Sequence, residues 1–171
     1  MSNLCIVGLD PGAKGCAAFL TGSGATARIE LFDLPYVDGH LNYRAYRDLL
    51  RRWSPNVAYI ENVWPRSSRA PNNKGQGMGF VSGSKFMDNV GALKGITACE
   101  VDDCHLVTPV SWKRRFNLLK QPKSESRRMF AELMPACAKL VQRVKDDSRA
   151  EAGLISIYGG ERQGLFKMVP C

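Results

Sequence analysis

The chain has 171 residues, of which 44% are apolar and 23% charged, a composition typical of a globular protein with a real hydrophobic core. No apolar run approaches the roughly 20 residues that a membrane span needs. The first residues, MSNLCIVGLDPG, also lack the basic segment and long apolar stretch of a secretory signal. We therefore expect one domain over residues 1–171, in a cytosolic setting.

The charge balance points to an anionic partner. Lys and Arg total 24 against 16 Asp and Glu, which gives a net charge of +8. An excess of this size favours nucleic acid or a membrane surface as the partner, although solubility alone is an alternative explanation.

The hydrophobic pattern predicts strands and helices in a mixed order. Strands are predicted at 4–9, 15–20, 26–34, 57–60 and 104–108, and helices at 42–53, 78–98, 109–119, 124–134 and 146–159. Hairpin-connected strands come first and then alternate with helices, which indicates an α/β fold with a mixed central β-sheet flanked by helices. Four glycines within 78–98 suggest that this helix packs closely against a neighbouring backbone.

Four acidic residues stand where a catalytic site could form. Asp10 ends the first strand and Glu61 ends the fourth, while Asp147 and Glu151 lie four residues apart on one face of the last helix. That face continues through Leu154, so it is expected to be buried, and buried carboxylates are costly unless they are neutralised. A bound metal would neutralise them.

Each acid also has a simpler explanation. Asp10 before Pro-Gly could start a turn, Glu61 could be a solvated strand end, and Asp146 and Asp147 could favour a helix N-terminus. The four together favour a site for Mg²⁺ or Mn²⁺, which prefer oxygen ligands. Two ions about 4 Å apart could hold one phosphodiester between an attacking water and a leaving oxygen.

Other chemistries have little support. Cys99, Cys104 and His105 lack a second ligand pair, so we do not expect a zinc site. The segment GQGMGFVSGSKF lacks the G-x-x-x-x-G-K-[ST] pattern, so no nucleotide cofactor is expected. An actin-like ATPase domain would share the strand-Asp-Gly opening but would need about twice this length.

Three motifs, GLDPG at 8–12, YIENV at 59–63 and KDDSRAEAGLI at 145–155, resemble the acidic motifs of RuvC-like Holliday-junction resolvases, above all the short phage and bacterial forms. The resemblance spans nearly the whole chain and includes TPVSWKRRFNLL. It implies Asp10, Glu61, Asp147 and Glu151 as catalytic residues and metal ligands. RuvC itself spaces the last two acids at i and i+3, whereas this chain has i and i+4, which leaves Asp146 as a second candidate for Asp147.

The resemblance further implies an RNase H-like fold, a homodimer, and paired symmetric nicks across a four-way DNA junction, in the cytoplasm of a bacterial or phage-infected host cell. Without the four acids, twelve acidic residues face the 24 basic ones, so the remaining surface is strongly positive. The candidate DNA-binding residues are Arg66, Arg69, Lys74, Lys85, Lys113, Arg114, Arg115, Lys120, Lys123, Arg127 and Arg128, for contacts to phosphates.

Two aromatic residues border the polar loop at 62–77. Trp64 and Phe80 are candidates for stacking on an unpaired base, and Phe80 could equally belong to the core. Two other functions remain open: an RNase H-type nuclease acting on RNA–DNA hybrids, and a non-catalytic protein that binds branched nucleic acid and whose acids are structural.

Overall fold

The computed structural model describes residues 4–12, 14–65 and 78–165. The strands are β1 (Ile6–Asp10), β2 (Cys16–Thr21), β3 (Arg28–Asp33), β4 (Tyr36–Val37), β5 (His40–Leu41), β6 (Val57–Glu61) and β7 (Asp103–Val107). The α-helices are α1 (Tyr43–Trp53), α2 (Phe80–Glu100), α3 (Pro109–Arg115), α4 (Lys123–Leu133) and α5 (Asp147–Arg162). Short 3-10 helices cover Gly24–Thr26, Pro135–Val141 and Val144–Asp146.

The central sheet is mixed, as the sequence predicts. Its strand order is β3-β2-β1-β6-β7. Strands β1, β2 and β3 form an antiparallel meander, whereas β6 runs parallel to β1 and β7 runs parallel to β6. A small hairpin of β4 and β5, which was not predicted, stands apart from this sheet. The carboxyl ends of three parallel strands therefore meet at one edge, where ligand sites of α/β sheets form.

Helices cover both faces of the sheet. Helix α5 packs against β1 and β2 on one face, with α4 outside it, and α1 pairs with α2 over the other face. The predicted helix boundaries at α1 hold: the Asn42 side chain accepts a hydrogen bond from the Ala45 amide, and Ser54 ends the helix in a left-handed conformation. Within the described residues, no helix is long and apolar enough to cross a membrane.

Two helices end three or more residues away from the predicted position. Helix α3 ends at Arg115, because the chain turns there to bury Phe116 and Leu118. Helix α5 continues three residues beyond the predicted end at Gly159. The backbone at Gly159 lies against the ring of Tyr59, and this packing outweighs the low helix propensity of glycine.

The prediction that the glycines of α2 pack closely against a neighbouring backbone is wrong within the described residues. A Cβ at Gly91 or Gly95 would meet no atom within 4 Å, and one at Gly83 would make only ordinary contacts. The close approaches occur elsewhere. A Cβ at Gly8 would lie 2.3 Å from the Ser156 nitrogen, so the glycine allows α5 to contact β1 directly.

Candidate active site

Asp10 and Glu61 lie side by side at the carboxyl edge of the sheet. In the parallel register of β1 and β6, Leu9 is opposite Ile60, and the next residue on each strand is an acid. Neighbouring strands are about 4.8 Å apart, and residues in register point to the same face. The alternation along β1 directs Asp10 to the face that Gly8 presents to α5. Both acids are buried despite standing at strand ends.

The close contact at Gly8 determines which residues of α5 reach these acids. Gly8 lies under Ala152 and Ser156. Asp10 is two strand residues, or about 6.8 Å, beyond Gly8, which is close to the 5.4 Å span of one helical turn. The turn of α5 that precedes Ala152 therefore lies over Asp10. That turn carries Ser148 and Glu151, both of which interact with Asp10. The helix and the strand thus bring acids from distant parts of the sequence together.

The result is an open cleft of about 890 Å³ at this edge of the sheet. All four predicted acids line it: Asp10, Glu61, Asp147 and Glu151. Four lysines also line it: Lys14, Lys113, Lys123 and Lys145. The cleft therefore combines buried carboxylates with a cationic rim, an arrangement suited to a phosphate group bound together with metal ions.

Asp10 holds its proton more tightly than an exposed aspartate does. Burial raises the pKa of Asp10 from 3.8 to about 6, and the negative charge of Glu151 acts in the same direction. Hydrogen bonds from the Ser148 side chain and the Gly12 amide, the latter at 3.2 Å, oppose this rise. Nearby positive charge is thus too weak to compensate for burial of the carboxylate.

Glu61 shows the same effect. Burial raises the pKa of Glu61 from 4.5 to about 7, and the charge of Asp10 adds to the rise. The indole nitrogen of Trp112 donates a hydrogen bond of 2.9 Å to Oε1 of Glu61 and so favours its ionised form. Trp112 is fully buried, which fixes the direction of the Glu61 carboxylate.

The two acids of α5 are paired with cations of the chain. Nζ of Lys113 lies 3.1 Å from Oε1 of Glu151 and 4.9 Å from the centre of the Trp112 ring. The guanidinium of Arg127 on α4 donates to Oδ1 of Asp147. Both ion pairs are largely withdrawn from solvent. Lys113 and Arg127 thus pair with the two acids of α5, whereas Asp10 and Glu61 form no ion pair with any of the described residues.

The structure also separates Asp146 from Asp147. The Arg143 side chain binds both oxygens of Asp146, and its backbone amide donates to Oδ2 at 2.9 Å. These bonds hold the pKa of Asp146 below its usual range. Asp146 lines a neighbouring cavity and Asp147 lines the cleft, so the geometry favours Asp147 as the third acid of the site.

The donor chemistry of the cleft fits Mg²⁺ or Mn²⁺, because four carboxylates offer only oxygen atoms and two of them have no ion-pair partner among the described residues. The side chains do not yet form a coordination sphere. Across residues 4–12, 14–65 and 78–165, no three His, Cys, Asp or Glu side chains stand close enough together to hold one ion. Binding would therefore require Glu151 and Asp147 to exchange Lys113 and Arg127 for an ion.

The predicted basic residues are spread over several environments. Lys113 and Lys123 line the cleft, and Arg127 contacts Asp147. Arg114 and Lys120 are exposed, Arg115 pairs with Glu161, and Arg128 pairs with Glu125 and Glu132. Lys85 is outside the cleft, and its Nζ donates to the Asp38 carbonyl at 2.7 Å. Arg66, Arg69 and Lys74 are outside the described residues.

The aromatic candidates are both exposed. Trp64 is 69% exposed and lines the cleft, whereas Phe80 is 89% exposed at the start of α2, so a core position for Phe80 is wrong. Sequence reasoning missed Trp112 and Ser148, which touch the acids directly. Trp112 has the pattern of an ordinary core residue, and only the packing of α3 shows that its indole meets Glu61.

The fold is shared with solved structures of Holliday-junction resolvases. RuvC of Thermus thermophilus aligns over 97% of this chain and 100% of its own, with a TM-score of 0.60 and 14% identity. The same coverage, with a TM-score of 0.62 and 15% identity, is found for T. thermophilus RuvC in complex with a Holliday-junction substrate. The yeast mitochondrial Holliday junction resolvase Ydc2 aligns over 90% of this chain and 76% of its own, at a TM-score of 0.52 and 16% identity.

No protein-family model and no curated protein sequence matches the chain. At identities of 14–16%, the likeness to these structures establishes the fold. This is the RNase H-like fold of RuvC-type resolvases, which confirms the predicted fold class.

Proposed function

We propose that this protein is a structure-selective endonuclease that cuts four-way DNA junctions by metal-dependent hydrolysis of phosphodiester bonds. One observation carries the proposal: acids from three distant parts of the sequence, Asp10, Glu61, Asp147 and Glu151, line a single cleft. The shared fold with RuvC in complex with a Holliday-junction substrate supports a four-way junction as the substrate.

The four acids would hold Mg²⁺ or Mn²⁺, with two ions per site. Bound ions would offset the repulsion between the carboxylates and the phosphate and would activate the attacking water. The chain supplies the orientation. Trp112 fixes Glu61, and Lys113, which now pairs with Glu151, would be free to bind a phosphate oxygen if Glu151 held an ion. Lys123, at the rim of the same cleft, adds a second cation for the DNA backbone.

Paired symmetric cuts need two clefts, so we propose a homodimer. Helix α2 offers a surface for it, since Phe80 and Val81 are exposed at its start and Gly91 and Gly95 have open space beside them. Sedimentation equilibrium would give twice the chain mass of 18.9 kDa. A monomer at the concentrations that cut junctions would contradict the dimer.

The function is tested by cutting assays. A labelled four-way junction, a linear duplex of the same sequence and an RNA–DNA hybrid are each incubated with Mg²⁺ or with EDTA, beside Asp10→Asn. We expect paired nicks in the junction alone, and their loss in EDTA and in the variant. Cutting of the hybrid in preference to the junction would instead indicate an RNase H-type nuclease.

The ion pairs of Glu151 and Asp147 favour a second candidate, a branched-DNA binding protein whose acids are structural. In such a protein Lys113 and Arg127 would be permanent partners of these acids. Tight junction binding without cutting in Mg²⁺ or Mn²⁺ would support this candidate and overturn the nuclease.

A further inference from the structure

A second cavity of about 630 Å³ adjoins the acidic cleft. It is lined by the end of β3, the turn after β1 and the chain at the start of α5, and its charged residues are Lys14, Asp33, Arg143, Lys145, Asp146 and Arg149. Four of these side chains are cationic and two are anionic, so the cavity has a formal charge of +2. None of its residues belongs to the predicted DNA-binding set.

The arginines of this cavity form a fixed frame. Arg149 binds Asp33 through two parallel hydrogen bonds of 2.7 and 2.6 Å, and Arg143 likewise donates two hydrogen bonds to Asp146. Such fork-shaped pairs hold planar groups in a defined orientation. The carboxylates of Asp33 and Asp146 largely compensate the positive charges of the two arginines, so the net charge of the cavity comes from its lysines.

Lys14 and Lys145 differ from the arginines in having no carboxylate partner. Among the described residues, neither ammonium group lies within 4 Å of an Asp or Glu oxygen. Both side chains are exposed. Both also line the acidic cleft, so they form the boundary that the two cavities share. A charged polymer passing from one cavity into the other would have to cross this pair.

We propose that the second cavity is a phosphate subsite, in which Lys14 and Lys145 bind a backbone phosphate next to the one at the acids, on the same strand. This inference rests on the proposed function. A phosphate fits the cavity because six of the nine described residues that line it are charged, and because each lysine provides uncompensated donors. A contact of this kind fixes the register of the strand without reading its sequence.

Binding without cutting tests the subsite. The affinity for a four-way junction is measured in EDTA over a range of KCl concentrations, for the wild type and for Lys14→Ala/Lys145→Ala. The control is Arg44→Ala/Arg52→Ala, which removes the same charge from exposed positions of α1 on the opposite face of the sheet. For the lysine pair alone, we expect about tenfold weaker binding near 0.1 M salt and a plot of log affinity against log salt that is shallower by about one.

The position of the phosphate is tested with junctions that carry one uncharged methylphosphonate at successive backbone positions. In the wild type, a methylphosphonate at one position next to the scissile phosphate should weaken binding. In the lysine variant, the same substitution should have no further effect, because the two changes remove one contact.

Equal losses in the lysine pair and the control, or independent effects at every methylphosphonate position, would overturn the subsite. Those results would leave the proposed function untouched, because junction cutting by the wild type is a separate measurement. Absence of junction binding by the wild type would overturn both.

Discussion

Helices α5 and α2, the two longest among the described residues, differ in how much of each is buried. Helix α5 buries eleven consecutive residues, from Ala150 to Gly160, between the sheet and α4. Helix α2 buries only five of its 21 residues and leaves its start exposed. Both helices carry acidic residues, but only Asp147 and Glu151, on α5, line the cleft. The candidate site thus lies on the helix whose position is fixed from all sides, as accurate placement of reacting groups requires.

The largest expected effect is on junction cutting, and it distinguishes an acid of α5 from an acid of α2. Glu151→Gln keeps the shape of the side chain but removes a carboxylate from the cleft, and we expect a loss of junction cutting of about 1000-fold, or about 4 kcal/mol. Asp88→Asn is the matched control, since Asp88 is exposed on α2. Initial nicking rates under single-turnover conditions measure both. Similar rates for Glu151→Gln and the wild type would remove Glu151 from the proposed site.

A second effect tests how tightly α5 is held. A Cβ at Gly153 would lie 2.2 Å from Cε2 of Phe130, and that ring is fully buried and cannot withdraw. We therefore expect Gly153→Ala to lower the free energy of unfolding by about 3 kcal/mol. Urea unfolding followed by circular dichroism measures the change. An unchanged midpoint would mean that α4 yields easily and that α5 is less constrained than its burial indicates.

The acids beneath α5 should make stability depend on pH when no metal is present. The folded-state pKa of Asp10 is about 6, above its ordinary 3.8, so the folded state binds this proton more tightly than the unfolded state does. The resulting stabilisation is complete below pH 4 and is lost as the pH rises through 6. We expect Asp10 to contribute roughly 2–3 kcal/mol to this fall.

Urea unfolding in EDTA at several pH values between 4 and 8 measures this dependence. Asp10→Asn cannot ionise at this position, so its stability should fall less steeply with rising pH. Added Mg²⁺ should restore stability to the wild type at pH 8 by mass action and should have less effect on the variant. Identical pH profiles for the wild type and the variant would contradict the raised pKa of Asp10.

The smallest effect has the opposite sign and concerns α2. Gly91 and Gly95 lie within the helix with open space around them, so alanine at either position should stabilise the monomer by roughly 0.5–1 kcal/mol. Thermal unfolding at low protein concentration measures this. A destabilisation that grows with protein concentration would show that a second copy packs on these glycines, and α2 would then be as constrained as α5.

Local sequence patterns were sufficient for much of the fold and for the four acids. The alternation of apolar runs and turn residues predicted five strands in a mixed sheet, and the position of Asp10 and Glu61 at strand ends made them candidates for one site. Helical periodicity brought Asp147 and Glu151 to one side of α5, where both line the cleft. That these acids hold metal and catalyse hydrolysis stays a prediction.

Other features had no local signal. The bond from Trp112 to Glu61 spans 51 positions, and the pairs of Arg149 with Asp33 and of Lys113 with Glu151 span 116 and 38. Long-range contacts of this kind depend on how the helices pack against the sheet. For the same reason the glycines of α2 were misread: composition showed that close packing was possible, but not where a neighbour would be.

The sequence by itself determined the order of the five main strands and five helices, that Asp10 and Glu61 end strands, and that Asp147 and Glu151 share one side of a helix, because these follow from periodicities of two and 3.6 residues along the chain. Only the tertiary structure decided which cations face those acids, that Asp146 and Asp147 point into different cavities, and that Lys14 and Lys145 lie between them. These outcomes depend on the contact of α5 with β1 at Gly8, where the absence of a side chain sets the distance between two elements far apart in sequence.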